Sequence, residues 1–223
     1  MDATLVKIGG SLALYPENLK VLCSRLSMAS KKHLLIIVPG GGKFADVVRE
    51  LDTQFNLSPV ISHRMAILGM DQYGLFLSDI MPGSRTVRSI EELEKLDFNS
   101  LPIILPSSFL LDERTLENSW DVTSDSIAVY IAAQLDVRKV VLITDVDGIY
   151  NHNPKEYSDS ELIPKLSVKE LLKIQERTSV DRFLPKLLVQ LQTECFVVNG
   201  LYPERVEAIL NGQDAVFTVI SKN

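Results

Sequence analysis

Twice within its first 55 residues the chain runs from a short apolar stretch through glycines into a helical pattern, and this doubled unit constrains the fold most. Leu5, Val6 and Ile8 predict a buried strand that Gly9-Gly10 ends; after Pro16, the positions Leu19, Val21, Leu22 and Leu26 carry helical spacing. Leu34–Val38 is a second apolar run, bounded by Pro39 and Gly40-Gly41-Gly42 and unbroken as in strands covered on both faces. Phe44, Val47, Val48 and Leu51 then space a helix as far as Phe55. A strand, a glycine turn and a helix start bring backbone N–H groups to one point, which attracts phosphate oxygens. Two such units predict two phosphate groups meeting at the strand ends, where open α/β sheets bind ligands. Lys7 stands two residues before the first glycines, placed to meet charge on a transferring phosphoryl group. Taken alone, that first stretch fits a plain strand-to-helix turn with a lysine at its margin equally well.

Two familiar phosphate motifs are poor fits. Gly42-Lys43 is followed by Phe44 instead of Ser or Thr, and no glycine stands five places before Gly42, so there is no Walker A loop. Gly40, Gly42 and Ala45 do spell G-x-G-x-x-A. Val60-Ile61-Ser62, however, occupies the place where a dinucleotide-binding unit carries an acidic residue.

Further along, 62–80 predicts a long helix with an apolar stripe of Met65, Leu68, Tyr73 and Phe76; His63, Arg64 and Asp71 read most simply as its solvated polar groups. A strand and short helix are expected over 85–94, and a buried strand over 102–106. Trp120–Ser126 opens a helix for which Thr123 or Ser124 is a sound N-cap. Asp121 and Asp125, four residues apart at its mouth, are expected to face each other. A buried strand at 140–143 leads into Thr144-Asp145-Val146-Asp147-Gly148, where turn chemistry explains the aspartates as well as function does. The polar stretch 151–164 predicts a hairpin or surface loop. Helices over 168–177 and about 185–193, a strand over 195–198, a helix over 203–210 and a final strand over 216–220 that closes the sheet complete the chain. Alternating strands and helices mean α/β with a largely parallel sheet.

Charge narrows the partners. At net charge −6 the chain lacks the basic balance of a general nucleic-acid binder, while one small anion pocket remains compatible. Cys23 and Cys195 read as reduced core residues, no leader or membrane-length apolar run is evident, and the expected setting is the cytoplasm.

Val-Lys-Ile-Gly-Gly-Ser, Val-Pro-Gly-Gly-Gly, Thr-Ser-Asp-Ser-Ile-Ala, Thr-Asp-Val-Asp-Gly-Ile-Tyr, Leu-Pro-Lys-Leu and Val-Asn-Gly stand in this order between Leu5 and about Gly212. The ordered set resembles the amino acid kinase family, which includes acetylglutamate, aspartate, uridylate and isopentenyl phosphate kinases. The resemblance implies one domain folded as a three-layer αβα sandwich around a mainly parallel sheet, with an acceptor lobe over about 1–135 and a nucleotide lobe over about 136–223. It implies ATP and Mg2+ as cofactors, with no side chain assigned to the metal, and a homo-oligomer. Lys7 resembles the lysine on the transferring phosphoryl group, Lys186 the second lysine on the nucleotide phosphates, and Asp125 the aspartate that holds these catalytic lysines in place. By the same resemblance Gly9, Gly10 and Ser11 form the first phosphate turn, and Thr144, Asp145, Gly148, Tyr150 and Pro154 the nucleotide-lobe motif. Gly41 and Gly42 form the second turn near the acceptor, joined there by Arg64, Asp121 and Thr123.

The chain departs from the family pattern in three places. Val180-Asp181-Arg182-Phe183 replaces a Gly-Gly-Met segment, Asn151-His152-Asn153 precedes Pro154 without an aspartate, and Gln213-Asp214 replaces a Gly-Thr. The 120–128 and 65–74 segments look most like the small branch that phosphorylates an aminomethylfuran-methyl phosphate in methanofuran biosynthesis. Other implied acceptors are another small phosphate, of the isopentenyl phosphate or UMP type, and an amino-acid carboxylate. A nucleotide- or oxyanion-binding protein without turnover is the reading from a different class. In the favoured one, Asp121 takes the acceptor's amine while Gly41, Gly42 and Arg64 face its phosphate.

Overall fold

The computed structural model describes all residues except 1–2, 98–99, 111–115, 153, 155, 158, 175–178, 192 and 223. The first predicted strand, β1 (Thr4–Ile8), lies at the heart of an eight-stranded sheet, between β2 (Leu35–Pro39) and β5 (Lys139–Thr144), both parallel to it. Beyond β2 come β4 (Leu101–Ile104) and, at the edge, β3 (Ser84–Val87), again parallel. Beyond β5 come β9 (Glu194–Asn199), then β10 (Thr218–Ser221) and β8 (Lys165–Ser167). A separate pair, β6 (Ile149–Tyr150) with β7 (Leu162–Ile163), forms the hairpin expected in the polar stretch.

One sequence expectation fails at that second edge. The last strand does not close the sheet: β10 runs antiparallel to β9 and receives β8 on its other side. The three residues of β8 are too few to carry a periodic signal.

The unbroken apolar runs have the predicted cause. Leu5 of β1, Ile36 and Val38 of β2, and Val140 and Leu142 of β5 enter one core; Val6 and Ile8, Leu35 and Ile37, and Val141 and Ile143 enter the other. Both faces of the sheet are therefore covered. One layer includes α1 (Pro16–Ala29) and α9 (Pro203–Leu210), and the other α6 (Ser124–Gln134) and α8 (Leu184–Gln190). Side chains alternate along a strand, so Lys7 shares the Leu5 face and is directed to the α6 layer.

The two glycine turns meet. A short 3-10 turn, Gly10–Leu14, separates β1 from α1, while α2 (Gly42–Phe55) begins directly after Gly41. A side chain on Gly10 would overlap the backbone of Gly42, and Gly42 itself has φ of 52°. A Cβ is excluded at Gly10, and at Gly42 it would be strained by the positive φ and press on Gly10 at 3.1 Å.

The long helix α3 (Pro59–Ile80) begins three residues earlier than expected, and of the expected stripe only Tyr73 is buried. His63, Ile67, Met70, Tyr73, Gly74 and Leu77 turn inward, while Leu68 and Phe76 are exposed. Asp71 is structural: its carboxylate accepts the Ser107 amide at 3.0 Å and the Ser107 hydroxyl, capping α5 (Ser107–Leu110). The described helices near the ends of the polar stretch are shorter than predicted, α7 covering Val168–Leu171. Of the helix expected over 168–177, residues 175–177 lie outside the described residues, as do Asn153 and residue 192.

Candidate active site

Lys7 is buried, and its Nζ lies 2.6 Å from Asp125 Oδ1, with side-chain exposures of only 7% and 9%. This pair joins the centre of the sheet to the first turn of α6. An ammonium at this depth is stabilised by its partner, and removing either member would strand the other charge away from water. The second carboxylate oxygen, Oδ2, accepts the backbone N–H of Asp181 at 3.2 Å.

The Asp181 side chain is a second, half-buried carboxylate. Its Oδ2 accepts the amides of Thr123 at 3.0 Å and Ser126 at 2.9 Å and the Thr123 hydroxyl at 3.0 Å. Its Oδ1 accepts the Ser126 hydroxyl at 2.5 Å and the Leu184 amide at 2.9 Å. One side chain thereby serves the free N–H groups at the starts of both α6 and α8. Burial and, next, the Asp125 charge push the Asp181 carboxyl above the usual carboxylate range, against the hydrogen bonds. The acceptor that caps α6 is thus Asp181. Thr123 occupies the N-cap position, but its hydroxyl donates to Asp181 instead of accepting from the helix. An aspartate three residues before Leu184-Pro185 is a capping signal, and that sign was present in the chain segment read only as a departure.

The predicted phosphate turns divide their amides between structure and ligand. Gly9 N–H bonds the Ile143 carbonyl at 2.8 Å and Gly40 N–H the Ile8 carbonyl at 2.8 Å, so both amides serve the sheet. Ala45 N–H reaches the Gly41 carbonyl at 3.3 Å, and no side chain caps α2. Helix geometry leaves the amides of Gly42, Lys43 and Phe44 to a ligand. Ser11 Oγ donates to Asp145 Oδ1 at 3.0 Å, with Thr144 Oγ1 at 3.3 Å from the same oxygen, which ties the first turn to the end of β5.

Beside the turns lies a cavity of about 290 Å³. Gly10, Ser11, Gly41, Gly42 and Lys43 form one end; Ala66, Ile67, Met70, Val122 and Ile127 form apolar walls. Asp46, Arg49, His63 and Trp120 supply its polar groups, together with Thr123 and Ser124. Arg49 pairs with Asp46 at 3.1 Å and lies 4.7 Å from the centroid of the Trp120 ring, whose N–H donates to Asp52 at 2.6 Å. That indole bond, first among several, holds the Asp52 carboxyl below its ordinary range. A second, more polar cavity of about 320 Å³ adjoins the first through Arg49, Trp120 and Thr123, and also touches Asp121, Asp125, Ser179, Asp181 and Arg182.

Several predicted residues do not converge on the first cavity. Asp121 lies in the turn before α6, exposed, and lines the second cavity with Asp125. Arg64 is exposed and lies outside the lining of either cavity. Lys186 is exposed, its Nζ 5.8 Å from the centroid of the Phe183 ring; of the two lysines, Lys7 is the one paired with Asp125. On the β6 side, Asp147 accepts Asn199 Nδ2 at 2.8 Å and Arg205 Nη1 at 2.7 Å, and Arg205 stacks on Tyr202 at 4.1 Å. Burial, with the Asp147 charge next, pushes the Tyr150 hydroxyl upward. Gly148 accepts the Ser179 hydroxyl through its carbonyl at 2.8 Å, and Pro154 is exposed. Arg49, His63, Trp120 and Asp181 are the site residues that sequence patterns did not single out.

This arrangement holds a buried cation and a set of helix-start amides beside an apolar pocket, which suits positioning and charge compensation more than covalent catalysis. Residues 2–199 match the family model described as amino acid kinase family. A (5-(aminomethyl)furan-3-yl)methyl phosphate kinase of Methanocaldococcus jannaschii is 40% identical over 220 residues, covering 97% of this chain and 96% of that protein. A uridylate kinase of Thermotoga maritima is 24% identical over 219 residues, covering 95% and 93%. Among solved structures, a uridylate kinase from Archaeoglobus fulgidus superposes with a TM-score of 0.76 at 19% identity, covering 99% of this chain and 100% of that one.

Proposed function

The chain belongs to the amino acid kinase family, and on that premise we propose that it transfers the γ-phosphoryl group of ATP to (5-(aminomethyl)furan-3-yl)methyl phosphate, giving its diphosphate. The observation that carries the phosphoryl-transfer reading is the Lys7–Asp125 pair, buried beside two glycine turns in contact. The acceptor comes from the 40% identical relative. A cavity with apolar walls and an arginine fits a small ring bearing a phosphate.

In this reading an oxygen of the acceptor phosphate attacks the γ-phosphorus in line, the new P–O bond forms, and ADP leaves with the old one. Lys7 compensates the charge spread over the equatorial oxygens, and Asp125 fixes the direction of its ammonium. The amides of Gly42, Lys43 and Phe44 hold phosphate oxygens at the α2 start, while Gly10 and Ser11 shape the opposite wall. Lys186, Thr144, Asp145, Gly148, Tyr150 and Pro154 are assigned to the nucleotide side. Among the described residues no cluster of three or more His, Cys, Asp or Glu has the arrangement of a metal site. Mg2+ fits as an ion brought by the nucleotide phosphates, where it neutralises their charge. A homo-oligomer is also proposed, on the exposed apolar residues of α2 and α3, among them Val47, Phe55, Ile61, Leu68 and Phe76. No described helix is long and apolar enough to cross a membrane.

The test is an ADP-release assay with the aminomethylfuran-methyl phosphate, UMP, isopentenyl phosphate and amino-acid carboxylates as acceptors. The expected result is a kcat/KM for the furan at least about 100-fold above every other acceptor. A preference for UMP, isopentenyl phosphate or a carboxylate overturns the acceptor assignment.

A further inference from the structure

Resting on that acceptor reading, we propose that His63 recognises the acceptor's amine, accepting a hydrogen bond from its ammonium at the end of the cavity remote from the glycine turns. His63 is buried and belongs to a single face of α3 with Ala66, Ile67 and Met70, all of which line the cavity. The Ser119 backbone is the hydrogen-bonding neighbour of the ring, and in the neutral form one ring nitrogen donates while the other is an acceptor. Burial favours that neutral form by pushing the imidazole below its ordinary range.

The position along the helix matches the shape of the acceptor. A Cβ on Gly69 would lie 3.2 Å from atoms of Phe44 and Ala45, so α3 is level there with the first turn of α2, where the phosphate is assigned. His63 precedes Gly69 by six residues, roughly 9 Å along the axis. A five-membered ring with a phosphate-bearing arm and an aminomethyl arm spans a gap of this kind, with its ring against Ile67, Met70, Val122 and Ile127.

The nearby carboxylates are already engaged. Asp46 faces Arg49, and Asp52 accepts the Trp120 indole. Asp121, the residue predicted for the amine, lines the second cavity instead. Each polar end of a zwitterionic acceptor therefore has a partner: the helix-start amides for the phosphate, a neutral imidazole for the ammonium.

The test compares the aminomethyl acceptor with an analogue carrying methyl in place of aminomethyl, measuring binding by calorimetry and kcat and KM by ADP release. His63→Phe should weaken binding of the amine about 10- to 100-fold, through KM and with kcat changed less than threefold, and leave the methyl analogue within about threefold. His63→Asn, which keeps an acceptor oxygen, should recover most of the loss. Equal losses for both ligands overturn the assignment while the acceptor reading stands. A wild-type enzyme that neither binds nor phosphorylates the amine overturns both. A further readout needs no variant. In the wild-type protein, the 15N resonance of the unprotonated His63 nitrogen should move on adding the amine and stay in place with the methyl analogue; no movement with the amine overturns the proposal.

Discussion

Lys7 and Lys186 carry the same ammonium into opposite surroundings. Lys7 sits on the central strand, buried, and is locked to Asp125, whose other oxygen is held by the Asp181 amide. Lys186 stands on the exposed side of a seven-residue helix with an aromatic ring as its nearest described cation partner. The first is built into the folded chain before any ligand arrives. The second is a long flexible arm whose geometry depends on what it meets. Preorganised charge acts on the transition state without reorganisation, which supports the proposed roles of the locked lysine at the reacting phosphorus and of the exposed one on a nucleotide that comes and goes.

The sharpest way to break this comparison is Lys7→Ala. It should lower kcat by about 10³-fold or more and also destabilise the fold by about 3–5 kcal/mol, because Asp125 is left buried without its counter-charge. Steady-state kinetics with a denaturant titration reads both effects; a variant as stable as the parent would show that the ion pair is solvated after all. Lys186→Ala should cost about 10²-fold in turnover with the denaturation midpoint unmoved, since an exposed side chain is removed. A large stability loss there would erase the contrast.

The smallest effect concerns Asp181 and pH. Its carboxyl is raised in the folded protein, so the fold binds this proton more tightly than the unfolded chain does. The cost of burying the ionised form is fully present above the folded value and is relieved as pH falls through that value toward the unfolded one. Stability attributable to this group should therefore rise on mild acidification. Asp181→Asn should remove that component, visible as a change in slope of unfolding free energy against pH between wild type and variant. Parallel slopes would place Asp181 in the ordinary carboxylate range.

The same contrast explains what could be read from the amino-acid order. Strands β1, β2 and β5 were legible because both their faces are buried, which demands unbroken apolar runs; the glycine turns were legible because no other residue fits there. The Lys7–Asp125 contact joins residues 118 positions apart and carries no local signal, so only the family resemblance anticipated a link. Asp181 was seen as a deviation because its partners Thr123 and Ser126 lie 58 and 55 residues away. His63 and the stripe of α3 were misjudged for a different reason. A helix apolar on most sides has no strong preferred face, and the neighbouring helix and cavity decide which residues turn inward. The antiparallel turn of β10 depends on a three-residue partner that composition cannot reveal.

The contact between Gly10 and Gly42 divides this pocket into parts that an engineer can and cannot redraw. Its walls are side chains, so randomising Ile67, Met70 and Val122 changes which ring is welcomed, one methyl group at a time. Its glycine end is main chain pressed on main chain at Gly10 and Gly42, with Ser11 and Lys43 beside them. Under the proposed assignment, a library built on this scaffold can diversify the body of the acceptor widely while the Gly10–Gly42 contact stays constant. Recoding the length of the acceptor would require a new backbone.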